Sequence, residues 1–360
     1  MKKVQERMVR KTQTVAPTVR KTLTVEPTVR ETLTVASSTS RIHGQLLIGL
    51  VAALVVMSVV VLSGQELKHV PPAAPNLTVL HSFIPGDGVN PIAGLIQDAA
   101  GNLYGTTAFG GAACAELSSQ GCGVVFELIR CNSGYDFKVL HKFTGGADGA
   151  APSGGLIRDA AGNLYGTTFY GGGSSACGLA NGTPSGCGTV FKLSPTSTKT
   201  VLHTFTSGDG QNPSAGLIRE AAGNFYGTTT YGGGAGGGVV FELSPTGIQT
   251  VLYSFAGGAD GAFPLAGLIR DVGGNLYGTT QSGGTSSGCA PFGCGVVFKL
   301  SPTGTETVLH SFTGRDGAFP SAGLIQDTVG NLYGTTEIGG AYGFGVVFKL
   351  SPTGNRDGAL

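Results

Sequence analysis

One short block of sequence occurs five times in this chain, and this repeat restricts the fold more than any other feature. The block reads Gly-Asn-(Leu/Phe)-Tyr-Gly-Thr-Thr, and its copies start at Gly101, Gly162, Gly223, Gly274 and Gly330, which are spaced by 61, 61, 51 and 56 residues. Each copy follows Gly-Leu-Ile-(Gln/Arg)-(Asp/Glu) and precedes Val-Phe-(Lys/Glu)-Leu, and in the first four repeats a near copy of Thr-Val-Leu-(His/Tyr) comes next. Four short segments in each repeat of this length predict four-stranded units, the arrangement of β-propeller blades.

The four segments are named strands A to D here, in chain order. They are rich in β-branched and aromatic residues and are separated by Gly, Pro, Asn and Asp, which is typical of strands joined by turns. The 63 Gly and 17 Pro among 360 residues supply many such turns. With only 12% charged and 41% hydrophobic residues, the composition excludes a long coiled coil and a disordered chain.

The two ends of the repeat region predict a ring of blades that is closed by its own leading strand. Residues 77–83 read Leu-Thr-Val-Leu-His-Ser-Phe, the sequence of a strand D, whereas the fifth repeat stops after its strand C and residues 351–354. Pairing of residues 77–83 with residues 345–351 would complete the fifth blade and remove two open sheet edges. We therefore predict an all-β, five-bladed β-propeller over residues 77–354, followed by a short tail at 355–360. A linear solenoid with two open ends is the alternative.

The direction of the strands predicts how the loops are distributed. Because antiparallel strands alternate in direction, the A–B and C–D turns are expected on one face, called the hairpin face. The B–C insertions and the D-to-A connections are expected on the opposite face, called the insertion face. The hairpin turns are short and alike, while the B–C insertions vary in length, so the insertion face is the predicted binding surface.

On these motifs the chain resembles the GloVer tandem-repeat family of bacterial envelope proteins and, more distantly, NHL-type propellers. The resemblance extends from residue 77 to about residue 354. It rests on the five Gly-Asn-(Leu/Phe)-Tyr-Gly-Thr-Thr blocks, each followed by Gly-Gly and later by Val-Phe-(Lys/Glu)-Leu. The family implies an anchored propeller that faces the outside of the cell, and it implies no established activity.

Residues 46–64 are predicted to form a transmembrane signal-anchor. They include a run of 17 uncharged, mostly apolar residues from Leu46 to Leu62, close to the shortest run that spans a bilayer. Residues 1–45 carry nine Lys or Arg and three Glu (net +6), which predicts a basic, disordered cytoplasmic tail. The propeller, after a Pro-rich linker at 65–76, is then periplasmic or extracellular. A signal peptide cleaved near Ser63 and a buried helix are the alternatives.

Six of the seven cysteines lie in pairs within the three long B–C insertions. The pairs are Cys114/Cys122, Cys177/Cys187 and Cys289/Cys294, in repeats 1, 2 and 4. A disulfide stabilises a long loop, so we predict three local disulfides and an oxidising compartment. Zinc binding is the alternative, but the pairs belong to different blades and have no His nearby. Cys131 lies in a C–D turn and is predicted to be unpaired or to bridge to another chain.

Every D-to-A connection contains an Asp-Gly step followed by Pro, and the carboxylates are the candidate ligand-binding groups. They are Asp87, Asp148, Asp209, Asp260 and Asp316, joined in repeats 1 and 3 by Asn90 and Asn212. One hypothesis is a ring of oxygen donors on the insertion face that binds a hydroxyl-rich ligand or calcium. The simpler interpretation, which we favour, is that each Asp caps its own turn. No other cofactor and no metal site are predicted.

The predicted function is that of a recognition or scaffold module that binds a glycan, a peptide or an envelope protein through the insertion face. Residues 46–360 carry 13 basic and 18 acidic residues (net −5), which disfavours nucleic-acid binding. The repeat region has no nucleophile elbow, zinc-protease motif or phosphate loop, so no catalytic residue is predicted. The alternative is a propeller hydrolase or lyase with a site at the pore mouth. The even distribution of carboxylates over the repeats disfavours that alternative.

Overall fold

A computed structural model describes residues 76–352, apart from 115–116, 118–119, 174–176, 178, 181–182 and 185. The predicted cytoplasmic tail (1–45), signal-anchor (46–64), all but the last residue of the linker (65–76) and the C-terminal tail (355–360) lie outside the described residues. None of the helical segments among the described residues is long and apolar enough to cross a membrane.

Five antiparallel sheets follow one another along the chain, one for each repeat, and four of them have the predicted strand order A-B-C-D. Sheet 1 contains β1 (Ile96–Gln97), β2 (Leu103–Thr107), β3 (Val124–Cys131) and β4 (Gly134–Lys142). Sheet 2 contains β5 (Ile157–Arg158), β6 (Leu164–Thr168), β9 (Thr189–Leu193) and β10 (Lys199–Thr204), and a small hairpin of β7 (Leu179–Ala180) and β8 (Thr183–Pro184) lies in its insertion. Sheet 3 contains β11 (Ile218–Arg219), β12 (Phe225–Thr229), β13 (Val239–Leu243) and β14 (Gln249–Ser254). Sheet 4 contains β15 (Ile269–Arg270), β16 (Leu276–Thr280), β17 (Val296–Leu300) and β18 (Glu306–Ser311). Sheet 5 contains β19 (Ile325–Gln326), β20 (Leu332–Thr335) and β21 (Val347–Leu350).

The pairing of strand B with strand C explains why the repeated block has a glycine between its Tyr and its first Thr. In sheet 3, Gly227 of β12 lies opposite Phe241 of β13. A Cβ atom added to Gly227 would lie 2.7 Å from the Cζ atom of the Phe241 ring, and the other four sheets show the same close approach. The block therefore combines strand-forming residues with one position that has room for the ring of the neighbouring strand.

In sheets 2 to 4, strands B and C are buried on both faces because each of these sheets is packed between two others. Val239 and Val240 of β13 are both fully buried although successive side chains of a strand point to opposite faces. Between successive sheets, the Phe that follows strand D packs edge-on against the Phe of the next strand C. The four pairs have ring centroids 5.1–5.2 Å apart and interplanar angles of 66–68°: Phe143–Phe191, Phe205–Phe241, Phe255–Phe298 and Phe312–Phe348.

The predicted division of the loops between two faces is confirmed. On the insertion face, each D-to-A connection pairs with the start of the following B–C insertion, as in the backbone bridge between Gln211 and Tyr231. On the hairpin face, the A–B turn packs against the C–D turn of its own sheet, where a Cβ atom on Gly223 would lie 3.1 Å from the Pro245 ring. The insertion and hairpin faces are thus the two edges of a stack of sheets.

The prediction that residues 77–83 close the ring is wrong for this structure. Within residues 76–352, sheet 5 has three strands, and residues 77–83 form no strand with β21. Phe83 instead packs against Phe126 of sheet 1, with ring centroids 5.1 Å apart, and Val347 of β21 is left 82% exposed. The physical reason is that closure depends on the rotation from each sheet to the next, which turn chemistry and strand pattern do not specify. The broader prediction of five propeller-like sheets is confirmed.

Candidate functional site

The five candidate Asp residues of the insertion face make the same contacts in every repeat. Each carboxylate accepts a hydrogen bond from a backbone N–H three or four residues earlier, and for Asp209 this donor is Thr206, at 2.6 Å. Each also contacts the His or Tyr that lies in strand D or at the corresponding position of residues 77–83. The pairs are His81–Asp87, His141–Asp148, His203–Asp209, Tyr253–Asp260 and His310–Asp316, at 3.0–3.2 Å. The carboxylates therefore cap their own turns, as the simpler interpretation of the sequence holds.

The pairing of each Asp with a His or Tyr was not predicted from the sequence. The signal was present, because a His or Tyr precedes each Asp by six or seven residues in all five copies. It also explains why Tyr253 replaces His in repeat 3, since either side chain brings a donor to the carboxylate.

The two candidate Asn residues occupy a backbone position that has positive φ in every repeat. Asn90 and Asn212 have φ of 57° and 55°, and Ala151, Phe263 and Phe319 share this conformation in the other repeats. The Asn212 side chain donates to the backbone oxygen of Phe169 at 2.8 Å, so its amide is engaged within the protein. Among the described residues, no group of three or more His, Cys, Asp or Glu is placed to hold a metal ion.

Two of the capping carboxylates have opposite electrostatic surroundings. The ammonium group of Lys199 lies 2.7 Å from Asp148. Burial tends to raise the pKa of Asp148, but hydrogen bonds from His141 and Lys199 outweigh burial and hold the pKa well below its usual range. In repeat 4 the position of Lys199 is taken by Glu306, which lies near Asp260. Burial, with the Asp260 charge, raises the pKa of Glu306 to about 7.

We expect the stability of the fold to fall as pH rises because of Glu306. Its pKa is higher in the folded chain than its ordinary value of 4.5, so the folded chain binds the proton more tightly between about pH 4.5 and 7. The variant Glu306→Gln cannot ionise. It should exceed the wild type in free energy of unfolding by about 1 kcal/mol at pH ~8, a value that allows for partial solvent exposure, and by much less at pH ~5.

Urea unfolding of both proteins at the two pH values measures this difference. Glu337→Gln, at an exposed carboxylate of the insertion face, is the matched control and should show the same small effect at both pH values. An equal effect of Glu306→Gln at pH ~5 and pH ~8 would contradict the prediction.

The A–B turns on the hairpin face hold a second set of repeated carboxylates. In repeat 2, Asp159 accepts hydrogen bonds from the backbone and side chain of Asn163 and from the Tyr165 hydroxyl, all at 2.8–2.9 Å. Burial and the Asp159 carboxylate raise the pKa of Tyr165 to about 12, so the phenol stays protonated. In repeat 2 these groups therefore satisfy one another's hydrogen bonds and fix the turn.

The structure joins the three predicted cysteine pairs as disulfides. The Cα–Cα distances are 5.7 Å for Cys114–Cys122 and 5.1 Å for both Cys177–Cys187 and Cys289–Cys294, within the normal range. All three are in B–C insertions of the insertion face. Cys131 is a free, half-exposed thiol whose Sγ atom lies 3.6 Å from the Ser133 hydroxyl.

A groove on the insertion face lies between the insertions of repeats 3 and 4 and has a volume of about 210 Å³. Its lining residues are small or aromatic and uncharged: Ala235, Gly236, Gly237, Gly257, Ala262, Phe263, Ser282, Pro291 and Phe292. Phe292 is 68% exposed, and its turn lies between the bonded Cys289 and Cys294. The groove is smaller than a typical small-molecule pocket, so it suits one ring or one side chain of a larger ligand.

Comparisons with solved structures give similar folds at low identity. The chain is 16% identical to a gluconolactonase from Xanthomonas campestris, over 72% of this chain and 71% of that one, with a TM-score of 0.39. It is 15% identical to the extracellular domain of a protein assigned as a one-component system from B. thetaiotaomicron, over 74% of this chain and 30% of that one (TM-score 0.45). It is 14% identical to a luciferin-regenerating enzyme, over 75% of this chain and 94% of that one (TM-score 0.40). Similarity at this level transfers no activity.

The sequence comparison is more specific. No curated protein matches the chain. Residues 67–181 and 173–357 match the family model of the Gloeobacter/Verrucomicrobia repeat, and together they include all five repeated blocks. The resemblance drawn from the blocks is confirmed, and the chain belongs to the Gloeobacter/Verrucomicrobia repeat family.

Proposed function

We propose that this chain is a recognition module that binds a neutral glycan through the groove between the insertions of repeats 3 and 4. The observation that carries the proposal is an exposed aromatic ring, Phe292, on a turn anchored by a disulfide beside an uncharged groove. A turn that a disulfide already restrains loses little backbone freedom on binding, which favours the use of its aromatic residue as an anchor.

The lining of the groove favours a neutral ligand over a charged one. None of its side chains carries a charge, and Ser282 is the lining residue with a side-chain hydroxyl. The ring of Tyr231, which is 42% exposed, packs edge-on against Phe263 at 5.2 Å and extends the apolar surface. A sugar ring has an apolar face that can stack on an aromatic side chain. Its hydroxyl groups can form hydrogen bonds with backbone atoms of the glycines that line the groove.

The proposed setting is the outside of the cell, with the chain held at the membrane by residues 46–64. The three disulfides support an oxidising compartment. The basic excess in residues 1–45 supports an N-terminus on the cytoplasmic side.

We expect Phe292→Ala to weaken glycan binding by about tenfold or more, because the ring is the exposed anchor. An array of neutral glycans, charged glycans and short peptides, read with the full chain under non-reducing conditions, first identifies the bound class. Titration of the best neutral glycan into wild type and variant then measures the loss.

Tyr342→Ala is the matched control, since Tyr342 is an 88% exposed aromatic of the insertion face that does not line the groove. It should bind like the wild type. Undiminished binding by Phe292→Ala would contradict the proposal, and binding of peptides alone would replace the glycan by a peptide partner. Chemical conversion of the bound glycan would favour the enzyme alternative.

A further inference from the structure

The four steps from one sheet to the next are built from the same contacts. The hydroxyl of the first Thr in each repeated block donates to a carbonyl of the next D-to-A connection, as Thr228 does to Ala266 at 3.0 Å. A backbone N–H of that connection donates in return to the carbonyl just before strand C, as Phe263 does to Gly237 at 2.8 Å. Both hydrogen bonds recur at all four steps: Thr106–Gly154, Thr167–Ala215 and Thr279–Ala322 for the first, and Ala151–Cys122, Asn212–Cys187 and Phe319–Cys294 for the second.

Each end of the stack exposes residues whose counterparts are buried in these contacts between inner sheets. The two ends expose opposite partners of the contact. The outer side of sheet 5, called the trailing end, presents Thr335, Phe344 and Val347, of which Phe344 is 91% and Val347 is 82% exposed. The corresponding residues at the step before, Cys294 and Val297, are fully buried.

The outer side of sheet 1, called the leading end, presents Asn90, Ala93 and Leu95. Leu95 is 51% exposed, while its counterpart Leu324 in repeat 5 is only 4% exposed. The Asn90 N–H and the Ala93 carbonyl correspond to the donor and the acceptor that each inner D-to-A connection uses to bind the preceding sheet.

The missing strand supports the same conclusion. Among the residues that the structure describes, sheet 5 has no strand D, and residues 77–83, which have the sequence of one, lie on the leading end. Their position there is the normal one, since the Phe83–Phe126 contact at 5.1 Å and 68° repeats the four ring pairs inside the stack. With the register of sheet 4, His81 would pair with Val347 and Val79 with Phe348. A leading end therefore carries the strand that a trailing end lacks.

We propose that the trailing end of one copy of this chain binds the leading end of a second copy, head to tail, with residues 77–83 of the second copy completing sheet 5 of the first. The four inner steps share the same contacts, whereas residues 77–83 do not pair with β21 of their own chain and Val347 of β21 stays exposed. The same step therefore continues into another chain, which is a heterologous association. Strand addition provides main-chain hydrogen bonds, and the apolar contacts of Val347, Phe344 and Leu95 provide burial.

A charge on the trailing end tests the association. We expect sedimentation of the full chain to show dimers or longer assemblies whose proportion rises with concentration. Val347→Glu should weaken association by at least about tenfold, because an unpaired charge would be buried at the contact. Val272→Glu, at an exposed position of an A–B turn, is the matched control and should associate like the wild type. A wild-type chain that stays monomeric at all concentrations, or a Val347→Glu chain that associates normally, would overturn the proposal.

Crosslinking distinguishes a second copy from closure within one chain. Ala93→Cys and Thr335→Cys are made in separate Cys131→Ser chains, which are mixed and treated with a short thiol crosslinker. We expect crosslinked dimers that contain one chain of each kind, and no dimers from either variant alone. In a chain that carries both substitutions, crosslinking within the single chain at high dilution would show a closed ring and would overturn the proposal.

Discussion

Replacing Phe241 with alanine should lower the free energy of unfolding by about 3–5 kcal/mol, the usual cost of removing a buried aromatic ring. Phe241 is fully buried at the centre of the stack. Its ring contacts Phe205 of the preceding sheet, and its edge fills the space left by Gly227. The substitution therefore leaves a cavity inside sheet 3 and at its contact with sheet 2, where the sheets on both sides limit relaxation.

Chemical unfolding of wild type and variant under non-reducing conditions measures this loss. Phe292→Ala is the control, since the 68% exposed ring of Phe292 should contribute less than about 0.5 kcal/mol to stability. Phe348→Ala in the half-buried strand C of sheet 5 should fall between the two. Equal losses for Phe241→Ala and Phe292→Ala would contradict the stacked-sheet core.

The variant Gly238→Ala should destabilise the fold by about 3 kcal/mol or more, because two costs act together. Gly238 has φ of +95°, which is unfavourable for alanine. A Cβ atom there would also lie 2.4 Å from the backbone oxygen of Thr229 and 2.7 Å from the Pro264 ring of the next repeat. Backbone atoms on one side and a buried proline on the other leave no room for the methyl group.

Gly236→Ala separates the two costs. Gly236 has a similar φ of +83°, but no atom lies within 4 Å of its added Cβ position. This control should therefore lose only the backbone term, about 1 kcal/mol. Thermal unfolding of the two variants and the wild type gives both values. If Gly236→Ala lost as much stability as Gly238→Ala, the close approach between repeats would not be the cause.

Several parts of the structure followed from local sequence. The strands, their order within each sheet and the two loop faces depend on residue type and turn chemistry over a few positions. The disulfides followed because both cysteines of each pair lie in one insertion, as in Cys289 and Cys294, five residues apart. These features depend on residues that are close in sequence and not on contacts between repeats.

The candidate site was predicted only in part. The Asp-Gly steps were correctly placed on the insertion face, but the pairing of each Asp with a His or Tyr depends on strand D folding back beside its own connection. The groove beside Phe292 was not predicted either, because it forms between the insertions of two different repeats. The spacing of residues along one repeat gives no information on the distance between the insertions of two repeats.

Local sequence was enough to predict five sheets with one pattern of A–B and B–C pairing and the covalent anchoring of three insertions, since each depends on neighbours within one repeat. Whether the ends of the stack meet depends instead on contacts between repeats. Each step between sheets depends on the packing of side chains from two repeats, and a small change in its rotation accumulates over four steps. Residues 77–83 therefore lie on sheet 1 and leave β21 with an open edge.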